Sequence, residues 1–233
     1  MHRLLLCDII RFLAATGIRH GTESDFIQWK HIRAFDDKRG LDMSDPYTKR
    51  VHPDGERRIL VQLPRGKTGA RDAAGNTDAL SPLLSIYTRY CDFHAGITER
   101  DDYVEGHLFG RDEQGLEPLA EFPELEMPDE MIAFSLPDGT PFKESSWRKT
   151  FNVLMRDFAA ETEVGTTHDS QGRRLVPYSL RHSWISWQLQ SGKLSIHQIA
   201  QQVGNTVAVI EASYAKTEVE SFAHKHTALR DLD

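Results

Sequence analysis

The feature of this sequence that most constrains its fold is the helical spacing of its apolar residues, which recurs in separate segments along the chain. Residues 2–16 place their large apolar side chains on one stripe, and Gly17 follows as a stop signal. Similar patterns predict helices from Ser145, over 179–190, from Ser195 to Gly204 and over 206–214. No run of residues is long and apolar enough for a membrane-spanning helix. The sequence therefore predicts a largely helical chain.

Two more helices are predicted from their start signals. Thr22-Glu23-Ser24-Asp25 matches a capping box, for a helix that runs on to Trp29. Ser81-Pro82 matches an N-cap with proline at the first helical position, for a helix that ends near His94. The helix from Ser145 carries four apolar side chains on one face: Phe151, Leu154, Met155 and Phe158.

Strand signals lie in the first third of the chain, between Ile32 and Leu63. The clearest strand is 58–63, and the turn-prone Gly66-Lys67-Thr68-Gly69 follows it. A polar turn is predicted from His168 to Arg174. The predicted class is α+β, mostly α with a small antiparallel β-sheet.

The negative charge of the chain is concentrated in one segment. The formal net charge is −7, but residues 99–130 alone hold twelve acidic and two basic side chains. The rest of the chain is slightly basic, and the local field at a face governs phosphate binding. A face that binds nucleic acid is therefore compatible with the composition, and 99–130 is predicted to be a loop or insertion.

Several kinds of site are disfavoured by the motifs that the sequence lacks. Cys7 and Cys91 are too few for a disulfide framework or a zinc site, which predicts a reducing, cytoplasmic setting. There is no HExxH metal motif among the eleven histidines and no GxSxG nucleophile elbow. Gly66-Lys67-Thr68 lacks the upstream glycine of a phosphate-binding loop. No metal or other cofactor is expected.

Four short segments occur in an informative order: Thr16 to Glu23, Gly66 to Gly69, Tyr178 to Ser183, and Val203-Gly204-Asn205 continuing to Tyr214. With Tyr214 nine residues after Asn205, their order and spacing resemble the catalytic domain of the tyrosine recombinases, the phage integrase family. The resemblance covers residues 5–217. It implies the recombinase catalytic fold and site-specific DNA cleavage and rejoining through a 3′-phosphotyrosyl intermediate.

The resemblance also implies a role for each matching residue. Arg19 and Arg181 match the two arginines that clamp the phosphate, where planar guanidinium groups meet phosphate oxygens in pairs. Lys67 matches the lysine that protonates the leaving 5′ oxygen, and Tyr214 matches the nucleophile. Tyr178 stands where the family most often has histidine. Asn205 stands where the family usually has histidine or tryptophan. Tyr178 is a poor proton shuttle at neutral pH, and Asn205 donates a hydrogen bond without adding charge.

Each of these residues also has a purely structural interpretation. Tyr214 has the helical spacing of a core aromatic, and Arg181 that of a helix-surface arginine. Lys67 can protect a sheet edge, and Arg19 can cap a helix C-terminus. His182 is predicted to be a packing or supporting residue. The four tryptophans are predicted to lie in the core: Trp29, Trp147, Trp184 and Trp187.

The family pattern leads to an expected organisation and to alternatives. Residues 1–217 are expected to form the catalytic domain. Residues 218–233 are expected to form a C-terminal tail that docks on a neighbouring protomer, with a frayed or self-docked terminus as the alternative. The upstream core-binding and arm-binding domains are expected to be absent. The expected partner is double-stranded DNA. The protein is expected in the cytoplasm, associated with the nucleoid and not with a membrane. It is expected to be a monomer in isolation and to oligomerise on DNA. Two alternatives remain: a catalytically inactive DNA-binding or interaction remnant of an integrase, and an enzyme like a type IB topoisomerase.

Overall fold

In the residues that it describes, a computed structural model shows several helices and a small sheet. It describes residues 1–36, 40–41, 57–66, 69–75, 77–96, 128–142, 144–161, 167–169 and 172–213. The helices are α1 (His2–Thr16), α2 (Thr77–His94), α3 (Glu144–Glu161), α4 (Pro177–Ser191) and α5 (Ile196–Val203). The strands are β1 (Ile32–Asp36), β2 (Gly40–Leu41), β3 (Arg57–Leu63) and β4 (Arg71–Gly75). Residues 207–213 are also helical.

Helix α1 ends where its sequence predicts. Gly17 adopts the left-handed conformation, with φ 68°, and its N–H donates to the Leu13 carbonyl. A side chain at this position would also collide with Trp184, since an added Cβ would lie 2.7 Å from the indole ring. Gly17 thus ends α1 and allows α4 to approach it closely.

The sheet is antiparallel, with the strand order β2-β1-β3-β4. Strand β3 confirms the predicted strand. Leu63 pairs with Arg71, so residues 64–70, of which 64–66 and 69–70 are described, connect β3 to β4 as a loop in the chain order. Within this loop the Gly69 N–H donates to the Gly66 carbonyl at 3.1 Å, as expected for a turn.

Buried apolar side chains of the described residues form two clusters. The larger one joins α1, α2 and α3 to β3 and to the segment 128–142. The smaller one is formed by α4, α5 and the helical segment 207–213: Trp184, Ile185, Ile199, Ala200, Val203 and Ile210. The boundary between these two clusters is called the seam below, and it contains the buried charged side chains of Glu23 and Arg181.

The predicted helix from Thr22 is wrong. Residues 22–31 contain two short 3₁₀ turns, Ser24–Phe26 and Trp29–His31, instead of an α-helix. The Glu23 side chain turns back to accept hydrogen bonds from the Arg19 backbone N–H and guanidinium, which holds residues 19–23 in a turn instead of in the first turn of a helix. The capping box at Ser195, by contrast, is formed, because Ser195 and Gln198 bond each other's backbone N–H as predicted.

Two other predictions need correction. The helix placed from Ser81 begins at Thr77, so Pro82 lies inside α2, although its end at His94 is confirmed. Trp187 is 59% exposed instead of in the core, because the described residues cover α4 only on the side that carries Arg181, Trp184 and Ile185. Along α3, Phe151 is buried while Phe158 is exposed.

Other predictions are confirmed or lie outside the described residues. Helices α3, α4 and α5, the helical segment 207–213 and the His168–Arg174 pairing agree with the sequence pattern. The acidic segment 99–130, apart from its last three residues, and the tail 218–233 lie outside the described part. Within the described residues, no helix is long and apolar enough to cross a membrane.

A buried ion pair links the first two helices. The Asp8 carboxylate on α1 accepts a hydrogen bond from the Arg89 guanidinium on α2, and both side chains are almost fully buried. Burial raises the pKa of Asp8, and Arg89 opposes that shift. Removing one partner alone therefore leaves a charge in the core without compensation.

We expect Arg89→Met to lower the free energy of unfolding by about 3–5 kcal/mol at neutral pH, because Asp8 is left buried and unpaired. The double variant Asp8→Leu with Arg89→Met should recover most of that loss. The loss should shrink as pH falls, because the raised pKa lets the folded state protonate Asp8. Urea unfolding measures these effects, with Arg3→Met on the exposed surface as the control. An equal loss in the single and double variants would contradict this account.

Candidate active site

The seam is organised around one buried carboxylate. Glu23 is 1% exposed and lies within ion-pair distance of three arginines. Its oxygens are 3.2 Å from Arg19 Nη1, 2.7 Å from Arg71 Nη2 and 3.9 Å from Arg181 Nη1. Glu23 Oε2 also accepts the Arg19 backbone N–H at 2.9 Å. The four residues are called the arginine cluster.

Arg181 is the most deeply buried of the three arginines, at 2% exposed. Its Nη1 donates to the Gly17 carbonyl at 2.9 Å, and its Nη2 donates to the Val203 carbonyl. The same Nη2 donates to Asn205 Oδ1 at 3.3 Å. The side chain therefore joins the end of α1 to the end of α5, and the alternative of an ordinary helix-surface arginine is wrong.

The arginine cluster holds more positive than negative charge. Three guanidinium groups face one carboxylate, and guanidinium groups keep their proton in proteins. Burial is the main cause that lowers the pKa of Arg71 and of Arg181, and the neighbouring Arg19 charge lowers both further. An anion bound beside the cluster would relieve this mutual repulsion.

The loop between β3 and β4 approaches the same cluster. A Cβ on Gly66 would lie 3.2 Å from Glu23 Oε1 and 2.9 Å from the Gly69 carbonyl oxygen. The backbone of Gly66 is thus packed against the Glu23 carboxylate. Lys67, the next residue, lies outside the described residues.

Tyr178 and Asn205 lie next to Arg181 in different ways. Tyr178 is one turn before Arg181 on α4 and is 40% exposed. Its ring packs edge-on against His182, with centroids 5.0 Å apart. The pKa of His182 is lowered by burial and by the charges of Arg173 and Arg181, which favours the neutral ring. Asn205 follows the Gly204 cap of α5 and contacts Arg181 through its side-chain oxygen.

The structure brings four of the six predicted site residues to the seam: Arg19, Tyr178, Arg181 and Asn205. Tyr214 lies outside the described residues and directly follows the helical segment 207–213, in which Ile210 is fully buried. The roles of Lys67 and Tyr214 therefore stay predictions. Across the described ranges, no group of three or more His, Cys, Asp or Glu side chains could hold a metal ion.

Sequence reasoning missed three residues of the seam. Glu23 was given no role of its own, although its spacing of four residues from Arg19 suits an ion pair. Arg71 and Gln202 had no motif of their own. The Gln202 side chain forms hydrogen bonds with the backbone of Thr16 and Ala74, and the Gln202 backbone carbonyl accepts one from Arg71. No local sequence pattern predicts these contacts.

Comparison with known proteins gives matches by structure only. No family model and no curated protein matches the sequence. The structure is similar to a tyrosine-to-phenylalanine variant of the Tn1549 transposon integrase bound to transposon right end DNA, with a TM-score of 0.50 and 13% identity. That match covers 93% of this chain and 58% of the integrase chain.

A second structure of the Tn1549 transposon integrase, in complex with circular intermediate DNA, has a TM-score of 0.48 and 13% identity and covers 96% of this chain and 54% of its own. This chain thus spans little more than half of either solved chain. The first likeness shows the fold, which this chain shares with part of the Tn1549 transposon integrase. The predicted fold class is confirmed, and so is the family resemblance at the level of the fold.

We expect Glu23→Gln to lower the free energy of unfolding by about 3 kcal/mol or more, because three guanidinium groups, of which Arg181 is fully buried, lose their counter-charge. Chemical denaturation at neutral pH measures the change. The control is Glu130→Gln, which removes a carboxylate from a surface pair with Lys30 and should leave stability nearly unchanged. Equal effects of the two substitutions would show that the arginine cluster does not depend on Glu23.

Proposed function

We propose that this chain is the catalytic part of a tyrosine recombinase that cleaves and rejoins DNA at specific sites. The observation that carries the proposal is the arginine cluster. Arg19 and Arg181, separated by most of the chain, meet at one carboxylate with Asn205 and Gly66 beside them. An excess of buried guanidinium charge is the arrangement that suits a phosphodiester in its transition state.

The proposed reaction is a transfer of the phosphodiester from DNA to protein and back. The Tyr214 oxygen forms a bond to phosphorus while the bond to the 5′ oxygen breaks, and the tyrosine proton passes to a neighbouring acceptor. Lys67 gives its proton to the departing 5′ oxygen, because an ordinary lysine is charged at neutral pH. Attack by the free 5′ hydroxyl of a second strand reverses these steps and reseals the DNA. The bond energy is retained in the phosphotyrosine, so the cycle consumes no ATP.

The arginines stabilise the charge that develops on the non-bridging oxygens. Arg181 Nε is buried and has no hydrogen-bond partner among the described residues. A phosphate oxygen would supply that partner, while Nη1 and Nη2 keep their contacts to Gly17 and Val203. Arg19 is the second donor, and Asn205 and Tyr178 position the phosphate through neutral hydrogen bonds.

The proposed partner is double-stranded DNA that carries recombination sites. On DNA the chains assemble into oligomers, and the isolated chain is a monomer. The segment 218–233 docks on a neighbouring protomer and limits how many subunits cut at once. Neutralising DNA phosphates releases counterions, so the affinity for DNA should fall as the salt concentration rises.

We expect Tyr214→Phe to abolish the covalent protein–DNA adduct on a nicked suicide substrate, because the attacking oxygen is removed. Denaturing gels measure the adduct, and DNA binding should be nearly unchanged. The control is Tyr178→Phe, the same substitution at another tyrosine of the proposed site, which should still give the adduct. If Tyr214→Phe still forms the adduct, or if only Tyr178→Phe loses it, Tyr214 is not the nucleophile.

The same substrate separates the proposal from its rivals. An inactive integrase remnant would give no adduct even with the unsubstituted chain. An enzyme like a type IB topoisomerase would relax supercoiled plasmid without any preference for sequence.

We expect Lys67→Ala to slow cleavage of ordinary DNA by about 10²–10⁴-fold, the usual contribution of a general acid. The loss should be much smaller on DNA with a 5′-bridging sulfur, because a thiolate leaves without a proton. Single-turnover rates on the two substrates measure the difference. Equal losses would mean that Lys67 only binds phosphate.

A further inference from the structure

One glutamine fastens the last turn of α5 to the free edge of the sheet. The Gln202 side chain accepts the Ala74 N–H at 2.9 Å and donates to the Ala74 carbonyl at 2.7 Å. Its carboxamide thus pairs with the edge strand β4 as a neighbouring strand would. The same Nε2 donates to the Thr16 carbonyl at 2.9 Å, so the end of α1 is held as well.

Arg71 makes the second connection between β4 and α5. Its Nη1 donates to the Gln202 carbonyl at 2.6 Å, and its Nη2 donates to Glu23 Oε2 at 2.7 Å. Two partners on two separate elements require the planar fork of a guanidinium, which a lysine cannot reproduce. Arg71 therefore ties β4 to the arginine cluster and to α5 at the same time. Arg71 and Gln202 are together called the clamp.

The clamp lies at the base of the loop that contains Lys67. Leu63 and Arg71 pair across the two strands, and Lys67 is the middle residue of the seven between them. On one side of Lys67, Gly66 is packed against Glu23. On the other side, Arg71 is bonded to Glu23 and to α5. Both ends of the short segment 66–71 are thus fixed to the seam.

Apolar packing does not provide this connection. Among the described residues, the buried apolar side chains of α5 belong to the smaller cluster, while Ala73 of β4 belongs to the larger one. The link between β4 and α5 is therefore the set of hydrogen bonds made by the clamp. Such bonds have a defined direction and length, so they fix position more closely than apolar contact does.

We propose that Arg71 and Gln202 are positioning residues that fix the loop bearing Lys67 against the arginine cluster and α5, and so place the leaving-group acid. This inference rests on the proposed recombinase function. It predicts a specific defect: without the clamp, proton delivery to the 5′ oxygen suffers more than any other part of the reaction. Small displacements of a reacting group cost up to about 10²-fold in rate.

The test uses Gln202→Leu in the full chain, with single-turnover cleavage at saturating DNA. The rate on ordinary DNA should fall roughly 10- to 100-fold. On DNA with a 5′-bridging sulfur most of that loss should disappear, as for Lys67→Ala. The dissociation constant for DNA should stay unchanged. Arg71→Lys, which keeps the charge and loses the fork, is the second variant and should show the same selective loss.

The matched control is Gln201→Leu, the same substitution at the exposed neighbouring residue, which should cleave both substrates like the unsubstituted chain. Equal losses on both substrates, or no loss, in Gln202→Leu and Arg71→Lys would overturn the inference and leave the proposed function intact. An unsubstituted chain that forms no adduct would overturn the proposed function and this inference with it.

Discussion

The rest of the structure depends on the ionic contacts between the buried Glu23 carboxylate and three guanidinium groups. A charge in a protein interior needs a partner, because water is no longer there to solvate it. Glu23 provides that partner for arginines from the end of α1, from β4 and from α4. The contacts determine where these three elements meet, and they lie at the seam between two separate apolar clusters.

The position of the cluster at a seam has a functional consequence. A site inside one apolar core would be closed to a ligand as large as DNA, and arginines on an open surface would be screened by water and salt. At the boundary of two clusters, guanidinium groups are held in place, are weakly solvated and exceed the nearby negative charge. A phosphate group that reaches such a site meets donors that are already oriented, so little reorganisation is needed when the transition state forms.

Sequence predicted the parts of this arrangement that depend on local signals. The end of α1 at Gly17, the capping box of Ser195 with Gln198, and the strand before Gly66 all have short-range causes, and all are present. The resemblance to a family supplied Arg19 and Arg181, which meet at the seam although they are far apart in the chain.

The remainder could not be predicted because its causes are long-range. Glu23 lies within a stretch whose sequence predicts a helix start, and only its contacts with Arg71 and Arg181 show why it is buried. Gln202 pairs with Ala74 across 128 residues, and a glutamine within a helix gives no sign of such a contact. Trp187 has the spacing of a core residue, yet no element covers its side of α4 in the described part of the chain.

The most direct test of the central claim is a crystal structure of this chain bound to duplex DNA with an intact phosphate at the cleavage site. The measurement is the distance from Arg181 Nε and from the Arg19 guanidinium to the oxygens of that phosphate. The account predicts charge-assisted hydrogen bonds of about 2.7–2.9 Å from both arginines, with Glu23 still bonded to the cluster. A phosphate bound elsewhere, while Arg19 and Arg181 contact only protein, would contradict it.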